Sequence, residues 1–266
     1  MNIIVLVKQI PDSEYFSKLQ LDPVKHTLIR EGILAVINPA DKCAIELAIS
    51  LKKNHSFKVI AVSMGPETTK SSLREAIAMG CDEAILITGK EFAGADTLAT
   101  SYPLSQAIKK IESYSMIIAG NIALDGSTGQ TPIQVGEFLD IPTFTNISSL
   151  SYSEANNSAD ISRIFRGVEQ HIKVEEMPFL LTVSHNFNKP HLPSIMDIMK
   201  SSKKDILNWS IRDINADENQ CGIKGSPTWT ISTTIHENER EKVVMIGTDK
   251  GEVKNFVDNI KKWLAV

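Results

Sequence analysis

The chain has 266 residues, of which 42% are hydrophobic and 23% are charged, and its formal net charge is -4. A chain of this size and composition can bury one sizeable core, which argues against extensive disorder and against two equal domains. The slightly acidic balance argues against a nucleic-acid partner, because a broad binding surface needs clustered lysine and arginine to neutralise phosphate.

Short apolar runs alternate with segments of helical period, which is the pattern of a parallel sheet covered by helices on both faces. The predicted strands are residues 3–7, 57–63, 84–87 and 116–119. The first of them lacks the basic flank and the cleavage site of a signal peptide. No apolar run reaches the roughly 20 residues that a bilayer span requires, so no membrane insertion is expected.

Two helices are predicted around the second strand. The first begins at Asn38, a good N-cap residue, and Pro39 suits the first helical position. The second covers residues 66–79 and ends at Gly80, a typical C-terminal stop. Both repeat apolar residues at helical spacing, so each should bury one face against the sheet.

Two further helices follow the third and fourth strands. The third is expected to begin near Ser101, because Pro103 would disrupt an earlier start. The fourth opens near Thr128 and ends by Pro142. These helices complete the alternation of strand and helix.

The C-terminal part of the chain has a different pattern. The period shortens toward two between residues 143 and 183, and residues 161–174 followed by 178–183 predict antiparallel strands. Residues 213–228 are polar and glycine-punctuated, which is typical of a linker. The tail predicts one strand, 243–246, and one amphipathic helix. The apolar stripe of that helix consists of Val253, Phe256, Val257, Ile260, Trp263 and Leu264.

Four segments should meet beyond the carboxyl ends of the strands, where ligands of open parallel sheets bind. They are residues 6–9, 38–41, 63–66 and 120–131. The last contains DGSTGQT, which places two glycines and three hydroxyl groups just before a helix and therefore suits a phosphate group. An ordinary capped turn is the alternative interpretation.

Several other kinds of site are disfavoured by the motifs that are missing. No GxGxxG follows the first strand, residues 65–71 lack the glycine that a P-loop needs before its lysine, and no GxSxG elbow follows a strand. The histidines show no metal-ligand spacing. Cys43, Cys81 and Cys221 lie far apart and form no CxxC, which favours a reducing, cytoplasmic compartment.

Short motifs along the chain resemble those of electron-transfer flavoprotein beta subunits in order and in spacing. They are VKQIPD (7–12), NPAD (38–41) with Glu46 following, VSMGP (62–66), REAIAMGCDEA (74–84), DGSTGQT (125–131), GEFL (136–139), PFLLTV (178–183) and IMDIMKSSKK (195–204). Each motif alone is weak, but the set is specific and covers nearly the whole chain.

The resemblance implies an α/β fold with a mainly parallel, doubly wound sheet of the adenine-nucleotide α-hydrolase-like type, an antiparallel hairpin and a C-terminal arm. We expect a nucleotide-binding domain over residues 1–212, and a linker and arm over 213–266. The residues expected to contact the cofactor are Leu6, Lys8, Asn38, Pro39, Ala40, Asp41, Met64, Asp125, Gly126, Ser127, Thr128, Gly129, Gln130, Thr131 and Ile133. They lie in the loops already chosen on physical grounds.

The bound nucleotide of such a beta subunit is AMP in conventional members of the family and a second FAD in electron-bifurcating members. GADTLATS (94–101), the dipeptide Asp125-Gly126 and GSPT (225–228) resemble the bifurcating branch, whereas residues 127–132 depart from it. We expect FAD, and AMP stays open as the alternative. With AMP the chain would be a structural support, and with FAD it would be part of a flavin-based oxidoreductase.

Residues 190–204 resemble the family's partner-recognition loop. In that loop one aliphatic side chain, matched here by Ile195, inserts into a partner dehydrogenase, which we expect to be of the acyl-CoA type. Met196, Ile198 and Met199 flank this residue. Flexible methionine and isoleucine side chains suit a surface that accepts another protein. A buried amphipathic helix is the alternative interpretation.

The resemblance also implies an obligate heterodimer with a flavin-carrying alpha subunit, on which the C-terminal helix with Trp263 and Leu264 is expected to pack. The chain would then be an electron carrier rather than a stand-alone catalyst, because any electrons must travel on an organic cofactor. Two other classes stay open as alternatives: a stand-alone nucleotide-binding module of the stress-protein type, and an adenylating enzyme. The second lacks SGGxDS after the first strand.

Overall fold

The computed structural model describes residues 1–12, 20–21, 28–29, 34–228 and 249–264. Contacts divide the chain into two compact units, Met1–Ile231 and Ser232–Val266. The first unit holds the sheet and six of the helices given below, and the second holds the last helix.

The strands of the first unit form one large sheet and two small two-stranded pairs. Their bounds are β1 Asn2–Leu6, β2 Gln9–Pro11, β3 Gln20–Leu21, β4 Leu28–Ile29, β5 Ala35–Ile37, β6 Lys58–Met64, β7 Glu83–Ile87, β8 Tyr114–Gly120, β9 Thr143–Ser153, β10 Ser158–Phe165, β11 Val168–Val174, β12 Phe179–Val183 and β13 Leu207–Trp209. The large sheet has the order β11-β10-β9-β12-β8-β1-β6-β7-β13.

In this sheet the pairings from β9 through β12, β8, β1, β6 and β7 to β13 are parallel. Strand β10 pairs in antiparallel fashion with both β9 and β11. The predicted fold class, a mainly parallel α/β sheet with an antiparallel hairpin, is confirmed. The predicted antiparallel direction is wrong for residues 178–183, because β12 runs parallel to both β8 and β9. Its five residues are all buried, which is typical of a parallel strand covered on both faces.

Helices cover both faces of the sheet. Their bounds are α1 Pro39–Asn54, α2 Lys70–Ala78, α3 Thr97–Lys110, α4 Thr131–Leu139, α5 Ile195–Ser202, α6 Gly222–Gly225 and α7 Lys250–Leu264. Helices α1 and α2 bury residues such as Leu47 and Leu73 against one face, and α3 and α4 bury Leu104 and Val135 against the other. Each large side chain fully buried in this way contributes about 1.5–3 kcal/mol to folding.

Helix α3 begins four residues earlier than the sequence predicted. The carboxylate of Asp96 accepts a hydrogen bond from the backbone N–H of Ala99 at 3.0 Å and so caps the helix at Thr97. Pro103 lies inside the helix. The cap and the complete burial of Ala99 and Ser101 offset the hydrogen bond that the proline cannot make.

Helix α4 begins three residues later than predicted. Ser127 and Gly129 have φ values of 52° and 64°, which lie in the left-handed region and cannot continue into a right-handed helix. The helix therefore starts at Thr131 and ends at Leu139, where Asp140 adopts φ 54° as the C-cap residue. The residues between β8 and α4 consequently form a longer loop than the sequence indicated.

Residues 213–228 pack against the rest of the first unit, to which they belong, instead of forming a linker. Ile214 and Cys221 are buried. The backbone N–H of Asp96 donates to Ser226 Oγ at 2.8 Å, and Thr228 Oγ1 donates to Asp96 Oδ2 at 2.7 Å. The contacts therefore place the division of the chain after residue 231, not after 212.

Within the second unit the described residues form helix α7. Its apolar side chains are exposed, including Phe256, Trp263 and Leu264. The predicted strand 243–246 lies outside the described residues. Among the described helices, none combines the length and the apolar character needed to cross a bilayer.

Candidate functional site

The predicted loops meet at one edge of the large sheet. Strands β8, β1 and β6 are parallel neighbours, so their carboxyl ends lie side by side. The start of α1 joins them, because the backbone N–H of Asn38 donates to the carbonyl of Lys8 at 3.0 Å. The side-chain Nε2 of Gln9 donates to the backbone carbonyl of Thr68 at 3.1 Å, which connects this edge to the segment after β6.

Asp41 connects three of these segments. Its carboxylate accepts hydrogen bonds from the backbone N–H of Lys8 at 2.8 Å, from the backbone N–H of Gly120 at 3.1 Å and from Asn38 Nδ2 at 3.1 Å. Burial raises the pKa of the Asp41 carboxyl to about 7, although these hydrogen bonds and the charge of Lys8 oppose the rise. The side chain thereby fixes the ends of β1 and β8 relative to α1.

Asn38 orders the loop that follows β8. It occupies the N-cap position of α1 as predicted, but its side chain makes no capping hydrogen bond. Instead, Asn38 Nδ2 donates to the carbonyl of Ile122 at 2.9 Å, and Asn38 Oδ1 accepts from the backbone N–H of Leu124 at 3.3 Å. The buried amide therefore ties residues 121–124 to the start of the helix.

The positively charged side chain of Lys8 lies beside the loop that follows β8. Lys8 Nζ is 2.7 Å from Asp125 Oδ1, and the Lys8 side chain is half exposed whereas that of Asp125 is largely buried. An exposed ion pair of this kind contributes little to stability. Its position matters more, because it holds the ammonium group next to Gly126, within reach of an anionic ligand.

The loop ends at the N-terminus of α4, whose first N–H groups have no partner within the helix. Such a terminus attracts anions. Helix α3 holds it in place: Thr97 Oγ1 donates to Gln130 Oε1 at 3.0 Å, and Ser101 Oγ donates to the carbonyl of Thr131 at 3.2 Å. The left-handed residue Ser127 in the same loop is unusual for a side chain other than glycine and is typical of functional turns.

Two polar atoms at this edge fit a site that a polar ligand completes. Ser63 Oγ, near the end of β6, and Asn121 Oδ1, directly after β8, are buried and have no hydrogen-bond partner among the described residues. A buried polar atom without a partner costs about 1–3 kcal/mol. Together with Lys8 and the N-terminus of α4, they provide hydrogen-bonding groups and a positive charge that suit a polar, anionic ligand.

Comparison with known proteins identifies the family. Residues 25–214 match the family described as the electron transfer flavoprotein domain. The electron transfer flavoprotein subunit beta of Thermoanaerobacterium thermosaccharolyticum is 40% identical over 263 residues, which cover 98% of each chain. That of Clostridium acetobutylicum is 41% identical over 264 residues, again 98% of each chain. The chain belongs to the electron transfer flavoprotein family. The caffeyl-CoA reductase-Etf complex subunit CarD of Acetobacterium woodii is also similar, with 36% identity over 264 residues and 98% of each chain covered.

The predicted family is thus confirmed, and this electron transfer flavoprotein beta subunit acts in electron transfer. Its predicted cofactor residues fall into two groups. The side chains of Leu6 and Met64 share one face of the sheet with α3 and α4. The others lie around the Asp41 network, in the loop 125–130 or in the first turn of α4, where Ile133 is half exposed.

The predicted partner-binding residues of this beta subunit lie on α5. Their exposed fractions are 78% for Ile195, 66% for Met196, 51% for Ile198 and 61% for Met199. The alternative of a buried amphipathic helix is therefore wrong for this unit. Four exposed apolar side chains on one short helix are typical of a protein-binding surface.

Some residues that shape the site lie in the predicted segments 63–66 and 120–131 but are not among the residues expected to contact the cofactor. Gly120 leaves no room for a side chain, because a Cβ there would lie 2.2 Å from Asp41 Oδ1. Ser63 and Asn121 carry the unpaired polar atoms. The available signal was their position: each lies at or just after the end of an apolar run, where a polar or glycine residue is more informative than in a loop.

Proposed function

We propose that this electron transfer flavoprotein beta subunit binds an adenine nucleotide at the edge formed by β1, β6 and β8, and that it forms a heterodimer with a flavin-carrying alpha subunit. The observation that carries the proposal is the network in which Asp41 and Asn38 join the ends of β1 and β8 to α1. This network supports a preformed site, which needs little rearrangement to accept a ligand.

The residues of the chain have distinct roles in this proposal. Lys8 and the first N–H groups of α4 bind phosphate, while Leu6 and Met64 offer an apolar surface to the adenine. A flavin, when bound, supplies the electron-transfer chemistry. The protein positions it and keeps its polar groups paired, and the half-exposed Lys8 ammonium balances negative charge.

We further propose that the nucleotide in the beta site is FAD rather than AMP. The support is the likeness of residues 94–101 and of Asp125-Gly126 to the bifurcating branch. The first of these segments includes Asp96, which caps α3, and Thr97, which holds Gln130 beside the loop. The segment thus lies next to the proposed site.

Counting the cofactors tests this proposal. The chain is co-expressed with its alpha subunit, the heterodimer is purified and denatured, and the released nucleotides are separated by chromatography. We expect two FAD molecules per heterodimer. One FAD and one AMP would establish the conventional alternative. A chain that binds nucleotide but recruits no flavin-carrying partner would instead favour the stand-alone module.

We propose that the exposed apolar face of α5 binds a dehydrogenase of the acyl-CoA type. The similarity to a subunit of a caffeyl-CoA reductase complex supports a partner that handles a CoA thioester. Ile195 is the most exposed of the four apolar residues and is therefore the expected anchor.

Replacing Ile195 by alanine should weaken this interaction. Truncation of a central apolar anchor costs about 1–2 kcal/mol of binding free energy, so we expect KM for a short-chain acyl-CoA dehydrogenase to rise roughly tenfold. The flavin content and kcat should stay unchanged. Ile223→Ala is the matched control, because Ile223 is similarly exposed at 71% but lies in another part of the unit. Equal KM values for the two variants would contradict the proposal.

We place the chain in the cytoplasm and its C-terminal arm on the alpha subunit. The three cysteines are free and buried, and burial raises the pKa of Cys81 to about 12 and that of Cys221 to about 11. Such thiols suit a reducing compartment. The exposed apolar side chains of α7, such as Trp263, support an arm that needs a partner surface.

A further inference from the structure

Arg74 connects α2 to the C-terminal end of α5. Its Nη1 atom donates hydrogen bonds to the carbonyl of Ser201 at 3.2 Å and to the carbonyl of Ser202 at 2.9 Å. These carbonyls belong to the last turn of α5, where the backbone has no further partner within the helix. The guanidinium group also places a positive charge at the negative end of the helix dipole.

Helix α5 depends on such contacts because it has little else to hold it. It has eight residues, and Ser201 is the one that is buried. A helix of this length is marginal in water without tertiary contacts. At its N-terminal end, Ser194 Oγ accepts from the backbone N–H of Asp197 at 3.2 Å, but this contact is local and does not attach the helix to the sheet.

Within the described residues, the side-chain hydrogen bonds that reach α5 from another helix or strand come from Arg74. Helix α2 is itself fixed at its N-terminal end. Gln9 Nε2 donates to Ser71 Oγ at 2.9 Å and to Ser72 Oγ at 3.1 Å, and Leu73 is completely buried. Arg74 therefore projects from a firmly held turn.

We propose that Arg74 is a positioning residue for partner recognition. It holds the last turn of α5 on α2 and thereby fixes the direction in which Ile195 and its apolar neighbours face the dehydrogenase. The inference rests on the proposed function of α5 but goes beyond it, because Arg74 itself does not belong to the apolar face. It also gives a role to the REAIAMGCDEA segment, which the nucleotide site does not use.

The test compares Arg74→Gln and Arg74→Lys with the wild type, all as heterodimers. Arg212→Gln is the control, since it removes the same charge from an exposed position of the same unit. Two quantities are measured: hydrogen exchange of the amides of residues 198–204, and KM and kcat with a short-chain acyl-CoA dehydrogenase. Flavin content is measured alongside.

For Arg74→Gln we expect amide exchange in residues 198–204 to rise at least fivefold and KM to rise about three- to tenfold, with kcat and flavin content unchanged. Arg74→Lys retains the charge and should recover part of both effects. Arg212→Gln should leave both unchanged. If Arg74→Gln does not fold, the lysine variant must still show the increase in exchange.

Three outcomes would overturn the inference: the first two leave the proposed function of α5 intact, and the third is failure of that function. Unchanged exchange in both Arg74 variants would show that the arginine does not hold the helix. Faster exchange with an unchanged KM, while Ile195→Ala raises KM, would show that holding the helix does not serve recognition. An unchanged KM for Ile195→Ala would reject the proposed role of α5 itself and the role of Arg74 with it.

Discussion

Replacing Gly120 by alanine is expected to destabilise the beta subunit by about 3 kcal/mol and to remove most of its bound nucleotide. The added Cβ would lie 2.2 Å from Asp41 Oδ1, 2.8 Å from the Cβ of Ala40 and 3.0 Å from the Ala40 carbonyl carbon. Asp41 can rotate away only by giving up its hydrogen bonds to Lys8 and Gly120. Ala40 can move only if the first turn of α1 moves.

Urea unfolding of the purified chain and nucleotide content of the heterodimer measure these effects. Gly126→Ala is the matched control, because its added Cβ would meet only Lys8 Nζ, at 3.8 Å. We expect the unfolding free energy of that variant to stay within about 1 kcal/mol of the wild type. Equal stability of the two variants would show that α1 does not pack against the end of β8 as described.

The meeting of the predicted loops at one edge of the sheet could be predicted from the sequence because it follows from strand direction. Apolar runs separated by helical segments imply parallel strands, and parallel strands bring their following loops to one edge. This rule places the polar segments 38–41 and 120–131 at the same edge, and the hydrogen bonds of Asn38 and Asp41 join them. Periodicity was sufficient because direction needs no knowledge of which strands are neighbours.

The role of Asp41 could not be predicted, because it depends on strand order. The carboxylate contacts Lys8, 33 residues away in sequence, and Gly120, 79 residues away. These contacts exist only because β1 and β8 are adjacent. The sequence carries no local signal for that adjacency, and an acidic residue in the first turn of a helix is already explained by the helix dipole.

The other differences arose where tertiary contacts override local preference. Pro103 predicted a late start for α3, but the Asp96 cap and the buried Ser101 keep the helix intact around it. Residues 213–228 have the composition of a linker, yet Ile214 and Cys221 are enough to attach the segment to the first unit. Composition averages over a segment, whereas packing depends on where its few apolar residues fall.

The proposed nucleotide site and helix α5 are attached to the same two helices, α1 and α2. Helix α1 begins at the Asp41 network and also holds the segment before α5: Glu46 Oε2 accepts from the backbone N–H of His191 at 3.1 Å. Burial raises the pKa of Glu46, but the hydrogen bonds from His191 outweigh it and leave the pKa below its usual value. Helix α2 carries Arg74. A shift of either helix would therefore move residues at both the proposed nucleotide site and α5.

Asp41→Asn is expected to change how the stability of the beta subunit depends on pH. Burial raises the pKa of the folded Asp41 carboxyl to about 7 from its ordinary value of 3.8. Between these values the folded chain keeps the proton and the unfolded chain has lost it, so stability falls as pH rises through this window. At about 1.4 kcal/mol per pKa unit, the wild type should lose roughly 3 kcal/mol from this group between pH 5 and pH 8.

Asparagine does not titrate, so the variant lacks this loss. Its unfolding free energy should therefore fall less with rising pH than that of the wild type. Urea unfolding at pH 5, 6, 7 and 8 measures the difference. Asp96→Asn is the control: burial raises the pKa of Asp96, but its hydrogen bonds leave it below the usual value, so its titration lies below pH 5. The unfolding free energy of Asp96→Asn should change with pH in parallel with that of the wild type. Parallel curves for Asp41→Asn as well would mean that the buried carboxyl is already ionised at pH 5, and that the three N–H donors outweigh its burial.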